Sequence, residues 1–254
     1  MRFGDWLEDK PFHLRLSSGY FGFYAHSGFL RALEDIGLWP ASLGGSSAGA
    51  LVAGLAASGL RGAELEDELH SFRRRDFWDP APGLGLLRGR RLRDLIGDKL
   101  LVDAFERCET PVAVSVFDLL HRRTRVIRRG PLAPALQASA ALPGLFQPVW
   151  VDGRPCLDGG IGDRTSLSTA PAPGERVLFH HLTPSPRWHR RAASVNHPPS
   201  RPGMIRFSIE SLPRLGPFAL ERGPEVYALA RSLMTRALEQ PLNGRDAVVM
   251  KGIA

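Results

Sequence analysis

The chain has 254 residues, 43% of them hydrophobic and 23% charged, the composition of an ordinary globular protein. A chain of this length fits a single α/β domain (1–254) and buries about 70–75% of the surface it would expose unfolded, so neither a disulfide framework nor a structural metal is needed. Its formal net charge is +7, but no nucleic-acid-binding module accompanies the arginines, which excludes nucleic acid as the expected partner.

In chain order, Asp5, Glu8 and Asp9 break up the apolar run that a secretory leader needs. FHLRL (12–16) alternates apolar and polar residues with the period of a half-buried strand. SSGYFG (17–22) then bends, and Ala25, Phe29, Leu33 and Ile36 recur at helical spacing up to Gly37, which reads as a glycine just past the helix end. ASLGG (41–45) is a short strand, and from Ser47 a helix of mostly tiny side chains begins, fit to lie close against a sheet. Glu64 to Phe72 suggests another helix. Residues 73–91, rich in Gly, Pro and Arg and carrying Trp78 and Leu84–Leu87, are the candidate flap. Strands follow at 110–120 and 123–128, a helix at 132–142, and a strand at 176–182. A Pro/Arg/Ser-rich loop spans 183–204, and one amphipathic helix at 221–242 ends the chain. Strands alternating with helices imply a three-layer α/β/α sandwich around a mainly parallel sheet.

Cys108 and Cys156 lie outside any C-x-x-C or Cys/His cluster, which points to a reducing compartment and away from zinc. No uninterrupted apolar run reaches the length of a membrane span. The expected location is cytoplasmic. Basic runs at 72–75, 88–93, 121–129 and 187–191 read first as solvated faces and second as peripheral attraction to an anionic membrane surface.

Three short motifs carry chemistry. Gly45-Ser46-Ser47-Ala48-Gly49 fits G-x-S-x-G in one register only, because Ala48 stands where a shifted register needs glycine. That makes Ser47 the candidate nucleophile and Ser46 filler, with Gly45 and Gly49 as the small neighbours a sharp strand-to-helix turn requires. A serine hydroxyl needs a base. An α/β-hydrolase places its nucleophile after five strands, and only 46 residues precede Ser47, so that fold is disfavoured. The alternative base is Asp158 in Asp158-Gly159-Gly160, a tripeptide that by itself also reads as a tight turn. The loop Ser17–Gly22 at a helix start suits a developing oxyanion, a phosphate or a plain turn alike. His180 and His181 end a strand and offer a Ser–His–Asp alternative, while His26 reads as packing or capping.

Together the ordered motifs resemble the patatin-like phospholipases, lipid acyl hydrolases with a Ser–Asp dyad, over residues 12 to 182. SSGYFG stands for the glycine-rich loop G-G-G-x-R-G, GSSAG for G-x-S-x-G and DGG for the aspartate motif. HSGFLRALEDIGL (26–38) is similar to the family's following helix, and ASAALPGLFQPVWVDGRPCLDGG (138–160) to its S-x-x-x-P…F-x-P-V approach. The resemblance implies a patatin-like α/β fold, catalytic Ser47 and Asp158, and oxyanion donors at Ser18 and Gly19. It also implies turn glycines at Gly45, Gly49, Gly159 and Gly160, a lipid or ester substrate, and neither metal nor cofactor. Three departures stand out: Ser17 and Ser18 replace glycines, Phe21 replaces the arginine, and Asp163 replaces a frequent asparagine. The first two keep backbone donors but lose a cation, and the aromatic run Tyr20, Phe21, Phe23, Tyr24 suggests an apolar wall instead. An acyltransferase using the same acyl-enzyme and an idle lipid-binding regulator are the other readings. The oligomeric state is not legible.

Overall fold

The computed structural model describes residues 1–183, 200–213 and 215–252. It opens on a helix absent from the sequence reading, α1 (Phe3–Asp9), which buries Phe3 and Leu7. β1 (His13–Leu16) and α2 (Phe23–Glu34) follow as expected. Gly37, at φ +74°, closes α2: its N–H donates to Glu34 O while Leu38 N–H donates back to Leu33 O. This paired arrangement requires a left-handed residue and so favours glycine. β2 (Ser42–Ser46) leads into α3 (Ala48–Ala57), all ten residues of which are buried. α4 (Gly62–His70), α5 (Arg74–Phe77), β3 (Gly85–Leu87) and α6 (Arg90–Lys99) come next. Residues 73–91 thus hold α5, β3 and the start of α6, with Phe77 and Leu87 buried and Leu84 and Leu86 exposed.

β4 (Val112–Asp118) and β5 (Arg123–Ile127) form an antiparallel pair. α7 (Leu132–Ser139) then packs so closely on α3 that a Cβ on Gly54 would lie 2.5 Å from Leu136. β6 (Gly144–Phe146) pairs with β3 in a separate two-stranded sheet. β7 (Val149–Val151) and β8 (Arg154–Leu157) are a hairpin joined by Asp152-Gly153, both at positive φ (+47° and +72°), the backbone of a two-residue type I′ turn. β9 (Val177–Leu182) is the last strand the sequence reading finds.

Of the loop expected over 183–204, residues 184–199 lie outside the described residues, and Met204 belongs to a strand instead. β10 (Met204–Glu210) alternates Ile205, Phe207 and Ile209 with polar residues. α8 (Gly223–Ala237) begins later and ends earlier than expected, and it does not end the chain, because β11 (Ala247–Lys251) adds an edge strand.

The central sheet has nine strands in the order β11-β10-β9-β1-β2-β4-β8-β7, with β5 also on β4. The six strands from β11 to β4 are parallel, and β5, β7 and β8 are antiparallel. Helices flank this mostly parallel sheet, which is the expected α/β class. One core holds Phe3, Phe29 and Phe207 where α1 and α2 meet the sheet. A smaller cluster of Val177, Phe179 and Met204 occupies the opposite face with Leu167. Among the described residues no helix is long and apolar enough to cross a membrane.

Candidate active site

The site sits at the carboxyl ends of β1 and β2. Ser47 occupies the single residue between β2 and α3, at φ +54° and ψ −120°, a strained conformation for a side chain with a Cβ. Backbone contact forces the small neighbours. A Cβ on Gly45 would lie 2.3 Å from Gly49 C, and one on Gly49 would lie 2.3 Å from Leu16 O. Ser47 N–H donates to Ser139 Oγ at 2.9 Å, and Ser139 Oγ donates in turn to Ser115 O at 2.8 Å. The elbow is therefore tied to α7 and β4. Ser46 Oγ is buried without a hydrogen-bond partner among the described residues, whereas Ser47 Oγ donates to Asp158 Oδ2 at 2.6 Å.

Asp158 reaches Ser47 because of how β4 is edged. β2 pairs with β4 only as far as Ser46↔Ser115, and β8 pairs antiparallel with the following residues, Phe117↔Leu157. β5 takes the other edge of β4, so β2 and β8 share one edge and meet end to end. Asp158 N–H donates to Ala141 O at 3.0 Å, and Gly160 N–H donates to Asp158 Oδ1 at 2.7 Å, which fixes the carboxyl. A Cβ on Gly159 would lie 2.2 Å from Ser115 O, and one on Gly160 2.8 Å from Ser18 Oγ. Asp158 is 5% exposed. Burial pushes its carboxyl up to about 6, against the opposing pull of the Ser47 and Gly160 hydrogen bonds and the Arg164 charge.

The loop after β1 is held on several sides. Ser17 N–H donates to His180 O, Ser17 Oγ accepts from Leu182 N–H, and Ser17 O pairs with His26 Nε2 at 2.9 Å. Neither Ser17 nor Ser18 has a positive φ, so serine replaces glycine there without strain. Of the expected oxyanion pair, one N–H is engaged within the fold. Ser18 N–H donates to Arg164 O at 2.8 Å and is spent. Gly19 and Tyr20 N–H have no acceptor among the described residues. Asp163 sets up this exchange: its N–H donates to Gly159 O, and its carboxylate accepts from Thr165 and Ser168 hydroxyls, holding the turn that presents the Arg164 carbonyl. Of the aromatic run, Phe23 and Tyr24 are core residues. Phe21, at φ +51°, packs against Tyr20, Phe23 and Phe77, so only Tyr20 and Phe21 are placed to form a wall.

The histidines stand apart from the Ser47–Asp158 pair. His26 Nδ1 lies 2.9 Å from His180 Nδ1, and both rings are fully buried. Because Ser17 O can only accept, His26 donates from Nε2, and its Nδ1 accepts from His180 Nδ1–H. His180 stacks on Phe29. Burial holds His26 down to about 3, His181 to about 4, and His180 well below its ordinary value. All three are neutral, and none hydrogen-bonds to Ser47 or Asp158. Ser139, Ala141 and Arg164 are functional-site residues that the sequence reading does not single out. Only the S-x-x-x-P pattern, Ser139 to Pro143, touches one of them.

A serine on a tight strand-to-helix elbow, its hydroxyl given to a buried aspartate at the end of a mostly parallel sheet, defines an α/β protein with a serine–carboxylate site. The chain belongs to the patatin-like phospholipase family, whose profile matches residues 14–170. It is 37% identical over 165 residues to an uncharacterized NTE family protein of Mycobacterium tuberculosis, covering 63% of this chain and 45% of that protein. It is 27% identical over 184 residues to Lysophospholipase NTE1 of Yarrowia lipolytica, covering 68% of this chain and 13% of that one. The chain thus spans less than half the length of these relatives. In fold it is similar to the type III effector protein ExoU of Pseudomonas aeruginosa, with TM-score 0.55 and 16% identity over 93% of this chain and 53% of ExoU. It is likewise similar to VipD from Legionella pneumophila, with TM-score 0.52 and 12% identity over 94% of this chain and 71% of VipD. Family membership supports a lipid hydrolase.

Proposed function

We propose that the protein is a serine lipid acyl hydrolase that works through a Ser47–Asp158 dyad and an acyl-enzyme. The observation that carries this reading is the 2.6 Å hydrogen bond from Ser47 Oγ to the buried Asp158 carboxylate, on an elbow whose backbone is fixed from three sides. Asp158 takes the hydroxyl proton as Ser47 Oγ attacks the ester carbonyl, then returns it to the leaving alcohol. A water deprotonated by the same carboxylate releases the fatty acid and restores Ser47. An ordinary carboxylate is a poor base at neutral pH. Raised to about 6, Asp158 is still ionised near neutrality but better matched to the proton it must accept. Gly19 and Tyr20 N–H, left free by the loop's other contacts, are the donors for the tetrahedral oxyanion. The substrate class is a phospholipid or lysophospholipid ester, in line with the lysophospholipase named among the relatives.

The test is labelling with a fluorophosphonate probe, followed by turnover of a p-nitrophenyl ester chain-length series and a phospholipid panel. Wild type labels at Ser47, while Ser47→Ala does not label and neither it nor Asp158→Asn turns over ester. Unlabelled wild type, or equal labelling of Ser47→Ala, overturns the reading. Loss of activity in His180→Ala or His181→Ala equal to that in Ser47→Ala, with folding intact, replaces the dyad by a triad.

A further inference from the structure

We infer that the segment from Arg73 to Arg93 is a membrane-docking element that seats the site on the surface of an anionic phospholipid bilayer; this deepens, and rests on, the lipid hydrolase reading. The segment holds seven arginines, all exposed, against two acids, Asp76 and Asp79. Asp79 is turned to backbone, accepting from the N–H groups of Gly89 and Arg91 at the start of α6, while Asp76 accepts from Arg73 N–H and pairs with the Arg75 guanidinium at 3.6 Å. Arg74, Arg88 and Arg90 make no ion pair with a described residue. A cluster of positive charge left unneutralised on one short segment is complementary to a negatively charged surface, with each arginine adding to the attraction.

Charge alone would fit many anions. The apolar residues narrow the occupant. Leu84 is 83% and Leu86 51% exposed, while Leu87 between them and Arg88 is fully buried. Gly85 and Leu87 pair with Gly144 and Phe146 of β6, and the period-2 alternation of the strand puts Leu84 and Leu86 on the face opposite the buried Leu87. The tip that carries them is built rather than loose. Ala81 N–H donates to Leu86 O, Arg88 N–H to Asp79 O, and Gln147 Nε2 to Pro82 O. At the start of the segment Phe218, 73% exposed, lies under the Arg74 guanidinium at 4.8 Å. Exposed leucines on the same segment as unpaired arginines suit a partner that is apolar inside and anionic at its face, as a bilayer is.

The element also lies beside the site. β6, its partner, follows directly on the turn whose Ala141 O receives Asp158 N–H. Gln137 of α7, two residues before Ser139, donates to Gly89 O. Phe77 of the segment packs on Phe21 of the loop after β1. A bilayer held by Leu84 and Leu86 therefore meets the structure that carries the dyad.

The experiment is co-sedimentation of the full chain, as Ser47→Ala so that no lipid is turned over, with vesicles of phosphatidylcholine alone or mixed with phosphatidylserine, at low and high salt. The protein partitions onto the mixed vesicles and is released by salt. Leu84→Ser/Leu86→Ser weakens this partition at least tenfold, and Arg88→Gln/Arg90→Gln removes the preference for phosphatidylserine. Thermal melts confirm that both variants fold, since all four side chains point to solvent. Partition equal on both vesicle types, variants that bind as tightly as their parent, or no partition at all overturns the proposal. The last result leaves an acidic protein surface as the occupant. Because partition is read without turnover and the hydrolase reading rests on labelling of Ser47, the two fail separately.

Discussion

Asp158 carries an electrostatic cost whose size can be read twice, once in activity and once in stability. Its carboxyl stands at about 6 instead of 3.8, chiefly because it is buried. A shift of about two units means the ionised form is disfavoured by about 3 kcal/mol in the folded protein relative to the open chain. The folded pKa is raised, so the folded state holds the proton more tightly. The cost is fully present above about pH 6 and is relieved as pH falls from there toward 3.8. Asp158→Asn removes the charge and keeps the shape. Its amide oxygen still accepts from Gly160 N–H, and its NH2 donates to Ser47 Oγ. At about pH 8 the variant is expected to be inactive yet more stable by about 2–3 kcal/mol, which raises Tm by about 5–10 °C for a chain of this size. That gain shrinks toward zero by about pH 4. For wild type, kcat/KM on a soluble ester falls about tenfold per pH unit below about 6. Calorimetry of both proteins across pH, beside the wild-type pH–rate profile, measures all three. An Asn variant less stable than wild type at the higher pH, or an acid limb centred near 4, refutes the burial argument.

The histidine cluster predicts a second, opposite pH dependence. His26, His180 and His181 have folded pKa values below the unfolded 6.5, so the unfolded chain takes up protons first and stability drops as pH falls below about 6.5. Each group contributes about 1.4 kcal/mol per pH unit and Asp158 offsets one of them. Urea midpoints should therefore fall steeply between about pH 6.5 and 5, and a flat profile would mean that the rings are not held neutral. Ser139→Ala leaves Ser47 N–H without the acceptor it has in wild type. It should cost about 1–3 kcal/mol in urea and lower kcat with KM little changed; an unaltered kcat denies Ser139 its positioning role. Gly49→Ala drives a Cβ against Leu16 O at 2.3 Å, a backbone atom that has little room to yield. It should cost about 3 kcal/mol or more and abolish probe labelling. Gly97→Ala in α6 meets nothing nearer than 4.0 Å and should gain about 0.5–1 kcal/mol.

What was legible in the sequence was local. Period-2 and period-3.6 patterns place β1, α2, β4, β5, α7 and β9, and the register of G-x-S-x-G singles out Ser47 over Ser46, which the structure shows buried and unpartnered among the described residues. α6 escapes because only Leu92 and Ile96 are buried among its arginines, too narrow a stripe for a helical pattern. β10 has a clean alternation, but only its first residue, Met204, falls in the Pro/Arg/Ser-rich loop read over 183–204, and the residues after it are left unassigned. The loop after β1 shows where local reading stops. That Ser18 N–H is spent depends on Arg164, nearly 150 residues away, and on the Asp163 turn that presents its carbonyl. No spacing rule connects them.

The pairing of Ser47 with Asp158 is itself a consequence of strand lengths. β2 ends at Ser46, where its partner residue on β4 is Ser115, while β4 continues to Asp118. The edge left bare is filled by β8 running the other way, and that opposition turns the end of one strand toward the end of the other. The Asp152-Gly153 turn fixes the β7–β8 register at Val151↔Arg154, and Phe117↔Leu157 fixes β8 on β4. A slip of one residue in that pairing sends every side chain to the opposite face, which would set Leu157 or Gly159 before Ser47 in place of Asp158. The close approach of Gly159 to Ser115 O and of Gly160 to Ser18 opposes such a slip, because any residue but glycine there collides. The two glycines after the aspartate therefore act as register stops: they hold the Asp158 carboxyl within hydrogen-bonding distance of Ser47 Oγ.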